Sequence, residues 1–209
     1  HLTDKGLPVP HAIENKLGAT ISSIIENSHC FYLRVLSFLP GKFYADYEPS
    51  QHNEDLWEGL GGFTARLVKG LSDFSHAGAH RYLEWDLAHG LRVCIEKKHH
   101  LNPGQETLVD EFLSRYKTQV LPRSAELPLS VIHNDANDYN LLVQVDELTQ
   151  QPIGISGLID FGDMVFSHQI NELAITCAYA LLSQNDPISS LKHIVKGYHS
   201  QHALKEVEF

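Results

Sequence analysis

The stretch "VIHNDANDYNLLV", beginning at Val131, sets His133, Asp135, Asn137, Asp138 and Asn140 between two apolar runs. Further on, Asp160-Phe161-Gly162 closes another apolar run, "IGISGLID". These side chains suit one kind of chemistry. Phosphoryl transfer to an alcohol needs a group that orients the hydroxyl and takes its proton, and hard oxygen ligands for Mg2+ on the nucleotide side. Asp135 fits the first task and Asn140 with Asp160 the second, while His133 would brace the loop.

Each piece alone is weak. Asp and Asn between two strands are also what a solvated turn contains. A calcium loop fails: Asp135 and Asn137 fit its first two alternating ligand places, but Tyr139 and Asn140 occupy the next positions, where a ligand and a Gly are needed. What separates the catalytic reading from the turn is Asp160, a third oxygen ligand that a turn does not require. The order H-x-D-x-x-x-x-N followed by D-F-G is the arrangement of kinase catalytic loops.

Rigid elements must carry these groups. "LSVIH" and "NLLVQV" read as strands flanking the loop, and "IGISGLID" as a third strand ending at Asp160. Upstream, "TISSIIEN" and "CFYLRVLSFL" read as two strands joined through "NSH", the second ending at Pro40-Gly41. Leu56, Leu60, Phe63, Leu67, Leu71 and Phe74 recur at helical spacing. Gly61-Gly62 inside that helix costs stability and permits close packing. "WDLAHGLRVCIEKK" predicts a second helix, and Leu108, Val109, Phe112, Leu113 and Tyr116 a third, broken by Pro122. Residues from Gln169 to Leu182 and from Ile188 to His202 predict two more. Strands set apart from helices imply an α+β protein.

Composition narrows the class. The 209 residues carry a net charge of −10 with His neutral, which disfavours nucleic acid or an anionic membrane as partner and suits a cationic small molecule. No apolar run approaches the roughly 20 residues of a membrane span, and the start "HLTDKGLPVP" is no signal peptide. Cys30, Cys94 and Cys177 are scattered, as expected of a reducing cytoplasm. Among 14 histidines, His76 and His80 are separated by Gly78 and His99-His100 are adjacent, so neither pair predicts a metal site.

With these motifs in place, the chain resembles the aminoglycoside phosphotransferase and choline kinase-like family, which has a protein-kinase-like fold. "HNDANDYNLLV" and "GLIDFGDMVFSHQINELAITCAYALL" are similar to the hydroxylysine kinase branch and to phosphotransferase domains fused to aminotransferase-like lyases. The resemblance implies a mostly helical large lobe over residues 41–209 and, over 1–40, the last part of a β-rich small lobe with the hinge. It implies Asp135 as catalytic base supported by His133, and Asn140 and Asp160 as Mg2+ ligands. Ser37, Phe38 and Leu39 of "RVLSFLPGK" would offer hinge backbone to the base of ATP or GTP. Asp138, Asp163 and, in the helical insertion, Asp86 are substrate-side candidates, with core packing favoured for Trp85. The implied activity is transfer to a hydroxyl of an amine-bearing metabolite, hydroxylysine or a similar amino alcohol. An aminoglycoside phosphotransferase and a catalytically silent kinase-like binding module are the alternatives. Two departures stand out. Asn134 occupies a place that is usually Gly, and neither a Gly-rich loop nor a strand Lys is present. The expectation is a missing N-terminal lobe, a possible fused partner domain, and weak or no activity of this chain alone.

Overall fold

The computed structural model describes residues 1–209. Nine short strands and five α-helices follow in order: β1 Ala12–Ile13, β2 Ser22–Glu26, β3 His29–Leu33, β4 Val35–Leu36, β5 Lys42–Phe43, α1 Glu54–Leu71, α2 Gly90–Lys97, α3 Pro103–Arg115, β6 Leu129–Ile132, β7 Leu141–Val145, β8 Pro152–Leu158, β9 Val165–His168, α4 Ile170–Ala180 and α5 Pro187–Gln201. All sheets are antiparallel and small: β1 with β4, β2 with β3, β6 with β9, and the order β5-β7-β8. No helix is long and apolar enough to cross a membrane.

The β2–β3 hairpin turns at Asn27-Ser28, both at positive φ (49° and 65°), the twist that a two-residue hairpin turn demands. Both of its faces are open: Ile24, Ile25, Phe31 and Tyr32 are all exposed.

Helix α1 organises the core. Asn53 caps it, accepting from the Leu56 N–H, and the same side chain donates to the Pro152 carbonyl, pinning the helix start to β8. The predicted apolar phase holds: Leu56, Leu60, Phe63, Leu67 and Leu71 are all buried. They pack with Ile155 and Leu158 of β8, Leu173 and Cys177 of α4, and Ile194 and Tyr198 of α5. Leu2, Leu7 and Val9 join the same core. Phe74 lies past the helix end, half-buried against it.

The middle of the chain departs from expectation. The second helix begins at Gly90, after a 3-10 turn over Leu87–His89, not at Trp85. Asp86 stops it from starting earlier: its backbone is extended and its carboxylate caps the Ala88 N–H. Asp86 is buried and also accepts from the Ser167 hydroxyl at 2.8 Å, so its neighbour Trp85 turns outward at 59% exposure and is not a core residue. Helix α3 begins earlier than its apolar spacing suggested, at Pro103, because Asn102 and Gln105 form a reciprocal cap. Strand β9 was not anticipated. Only four residues long, it owes its place to pairing with β6.

Helices α1 and α5 touch backbone to backbone at Gly61 and Gly197. A methyl on Gly61 would overlap the Ile194 carbonyl, and one on Gly197 the Glu58 carbonyl, whereas Gly62 meets its nearest neighbour, a Gln201 side-chain carbon, at an ordinary 3.6 Å. Gly61→Ala should therefore destabilise by about 3 kcal/mol, the upper range for overpacking. Gly62→Ala should be neutral or stabilise by up to about 1 kcal/mol through helix propensity. Urea unfolding of the two variants checks this, and equal effects would contradict the packing.

Candidate active site

Two ladders of strand hydrogen bonds bring the quoted loop to the D-F-G segment. Strand β7 leaves the loop at Leu141, directly opposite Leu158 at the end of β8, and the Ile159 N–H extends the pairing to the Asn140 carbonyl at 2.9 Å. Strand β6 enters the loop at Ile132, opposite Val165 at the start of β9. Residues 133–140 and 159–164 are thus pinched together from both ends.

His133 is fully buried and links the two segments. Its Nδ1 accepts from the Asp135 N–H (3.2 Å), so its Nε2 carries the proton and donates to the Ile159 carbonyl (3.1 Å). Its ring stands edge-on to Phe161, centroids 4.7 Å apart. Burial pushes its pKa down to about 4. With both nitrogens engaged, His133 is a strut rather than a proton carrier.

Asp135 is half-buried and held by two amides. Asn137 donates to Oδ1 and Asn140 to Oδ2, each at 2.9 Å. The Asn140 Nδ2 also donates to the Asp135 carbonyl at 2.8 Å. Two acceptors around one end of the Asn140 amide fix its orientation, since an oxygen there would face two oxygens. The Asn140 Oδ1 consequently points elsewhere and accepts nothing from the protein. Asp160 is exposed and sits in the left-handed region (φ 60°), with Oδ1 accepting from the Gly162 N–H at 3.1 Å. Such a conformation costs a non-Gly residue about 1–3 kcal/mol and needs surroundings that enforce it. The remaining oxygens of Asn140 and Asp160 are hard donors of the kind Mg2+ takes. No three His, Cys, Asp or Glu side chains converge as a metal cage.

The remaining candidates are dispersed around this centre. Ser37 is tied back to His11, donating its N–H to the His11 carbonyl (2.9 Å) and accepting the His11 N–H on its hydroxyl (3.1 Å). Phe38 is exposed and Leu39 half-buried, and the backbone N–H groups of both are unused. All three line a cleft of about 620 Å³, and Asp160 and Phe161 line it as well. That volume suits a nucleoside-sized ligand. Asp138 offers its carbonyl to the Ala45 N–H (3.0 Å), while its carboxylate and that of Asp163 are half-buried without partners. Asp86 is committed to its cap and to Ser167.

Sequence reasoning missed Glu172, whose one signal was a lone carboxylate in the apolar run "INELAITCAYALL". From α4 its Oε2 accepts two consecutive loop N–H groups, those of His133 (2.6 Å) and Asn134 (3.1 Å). Burial, with the Asp135 charge nearby, raises its pKa to about 7 despite those bonds. Asn134 is in the left-handed region (φ 68°), which explains why Gly is usual there, and both polar atoms of its buried amide lack partners.

Residues 1–207 match the sequence profile of the phosphotransferase enzyme family. The chain belongs to that family. It is 28% identical over 216 residues to a hydroxylysine kinase of Mus musculus, covering 97% of this chain and 56% of the relative. It is likewise 28% identical over 214 residues to a homoserine kinase of Zymomonas mobilis, covering 100% of this chain and 60% of the relative. The chain thus spans little more than half the length of these curated relatives. Among solved structures, a microcompartment-associated aminopropanol kinase superposes with a TM-score of 0.66 at 20% identity, over 99% of this chain and 63% of that one. The fold is the protein-kinase-like α+β fold of the family.

The family member's loop yields three predictions. Glu172→Ala strands two buried N–H groups and should cost about 2–5 kcal/mol. Glu172→Gln keeps an oxygen acceptor but cannot ionise. Between its ordinary 4.5 and about 7, native Glu172 retains a proton that the unfolded chain releases, so its contribution to stability falls as pH rises. Native His133 refuses, between about 4 and its ordinary 6.5, a proton that the unfolded chain binds, so its contribution rises with pH. The two oppose each other in the wild type. In Glu172→Gln the opposing Glu172 slope is gone, and urea-unfolding stability should climb more steeply from pH 4.5 to 6.5 than in the wild type; parallel profiles would refute this. Asn134→Gly should stabilise by about 1 kcal/mol, because it removes an unpaired buried amide at a positive φ.

Proposed function

We propose that the full-length protein is a small-molecule kinase that transfers the γ-phosphoryl of Mg2+-bound ATP or GTP to a hydroxyl of an amine-bearing metabolite. Hydroxylysine or a similar amino alcohol is the favoured acceptor. The observation that carries this reading is the Asp135–Asn140 pair, in which one amide orients the carboxylate with its nitrogen and keeps its oxygen free.

The residues divide the work as follows. Asp135 orients the acceptor hydroxyl and takes its proton. Each of its oxygens is fixed by one amide donor and retains a further lone pair for that proton. His133 holds the loop against Ile159 and Phe161. Asn140 and Asp160 would hold the divalent cation, which when bound neutralises charge on the transferring phosphates. Backbone of Ser37 to Leu39, with the N–H groups of Phe38 and Leu39 free, would meet the nucleotide base, with residues 1–40 as the end of a small lobe and 41–209 as the large lobe. Asp138 and Asp163, with unpaired carboxylates, would draw the cationic end of the acceptor, and the net charge of −10 acts in the same sense. Asp86 is the poorest of the substrate-side candidates because its carboxylate is already engaged. The cytoplasm is the compartment that supplies such nucleotides.

The likeness to a hydroxylysine kinase and a homoserine kinase supports an amino acid or amino alcohol as acceptor. The test is a screen of the full-length protein with ATP and GTP against amino alcohols, hydroxy amino acids and aminoglycosides. Turnover of an amino alcohol or hydroxy amino acid, reduced roughly 10²–10⁴-fold by Asp135→Ala, is the expected result. Activity that survives Asp135→Ala refutes the assigned base. Aminoglycoside turnover alone would identify a drug-modifying enzyme. No thermal stabilisation by Mg-ATP or Mg-GTP would indicate a silent binding module.

A further inference from the structure

The loop that presents Asp160 lies between ladders, since β8 ends at Leu158 and β9 begins at Val165. Within it, Asp160 is held at a positive φ, and its own carboxylate supplies one local bond, to the Gly162 N–H. That bond curls the loop but does not anchor it to the rest of the protein. His133 holds the start of the loop at Ile159 and Phe161, and its far end is anchored by Arg81, about eighty residues upstream. The Arg81 Nη2 donates to the Gly162 carbonyl (2.5 Å) and its Nε to the Met164 carbonyl (3.2 Å). These are its only hydrogen bonds, and it forms no ion pair with a carboxylate. The segment that carries Arg81 is held on both sides: the His80 ring packs at a tilt against Phe166 (centroids 4.6 Å apart), and Asp86 bonds Ser167 (2.8 Å).

We propose that Arg81 is a positioning residue that clamps the Asp160–Met164 loop in its strained, cation-presenting shape. Through it the segment around residues 80–86 governs how Asp160 is offered. The chemistry favours arginine here. Nε–H and Nη2–H leave one edge of a planar guanidinium side by side, so one side chain spans two carbonyls two residues apart. A lysine keeps the charge but has no such fork. Without the clamp, Asp160 is free to leave the left-handed region and carry its carboxylate out of its present position. This inference rests on the proposed role of Asp160 as a cation ligand.

The experiment compares full-length wild type, Arg81→Ala and Arg81→Lys by two readouts. The first is amide hydrogen exchange over residues 159–165. The second is the Mg2+ concentration that half-saturates nucleotide-dependent thermal stabilisation and turnover. Both variants should exchange faster in this loop, with protection in α1 and β7 unchanged. Their Mg2+ midpoint should rise roughly tenfold, the usual cost of removing a group that orients a metal ligand, with turnover lowered and acceptor KM unchanged. Unchanged exchange in Arg81→Ala overturns the proposal. So does full rescue by Arg81→Lys, which would show that charge alone suffices, and so does faster exchange spread evenly through the core, which would mark a general structural role. If the wild type shows no Mg2+-dependent nucleotide stabilisation, the kinase reading fails separately, and the exchange data still decide the clamp.

Discussion

One buried carboxylate oxygen holds the loop on which the rest of the site depends. Glu172 Oε2 takes the N–H groups of both His133 and Asn134, and it does so from a helix, so the loop is referred to the most rigid kind of element in the fold. Two consecutive peptide N–H groups converge on one point only if the chain bends sharply there. That bend puts Asn134 at positive φ and turns the loop back on itself. A buried carboxylate carries a desolvation cost, visible in its raised pKa, and the two N–H donors offset part of it. The loop's shape is therefore a compromise between burying a charge and satisfying two amides.

The polar network extends from that anchor in one direction. His133 passes the constraint to Ile159 and Phe161, Asp135 receives it through its own N–H, and Asn140 returns it to Asp135 through two hydrogen bonds. Almost every donor in this chain is used, which leaves few groups free. Among those few are the outward oxygens of Asp135, Asn140 and Asp160, alongside the unpartnered amide of Asn134. A site built this way is preorganised: the groups left over for chemistry are the ones the scaffold did not consume.

Much of this was legible in the sequence for simple reasons. Helix α1 announces itself because five of its apolar side chains must share one face, and that periodicity is local. The hairpin at Asn27-Ser28 and the strands flanking the loop carry equally local signals. The D-F-G segment stood out because a carboxylate follows an apolar run. Trp85 misled because hydrophobicity predicts burial on average, whereas here Asp86 takes the interior position by bonding Ser167. Strand β9 gave no signal because a four-residue strand is stabilised by its partner β6 rather than by its own composition.

By itself, the sequence determined which functional groups exist, their order, and the strands and helices that would carry them, since all of these follow from neighbours within a few residues. The tertiary structure alone decided which way the Asn140 amide faces, which nitrogen of His133 holds the proton, and that Glu172 bonds the loop and Arg81 the D-F-G segment. Each of those outcomes turns on a hydrogen bond to a partner brought close by strand pairing or helix packing, in the cases of Glu172 and Arg81 from 38 to 83 residues away. No local pattern encodes such a bond, because its geometry exists only once the ladders β6–β9 and β7–β8 have closed around the loop.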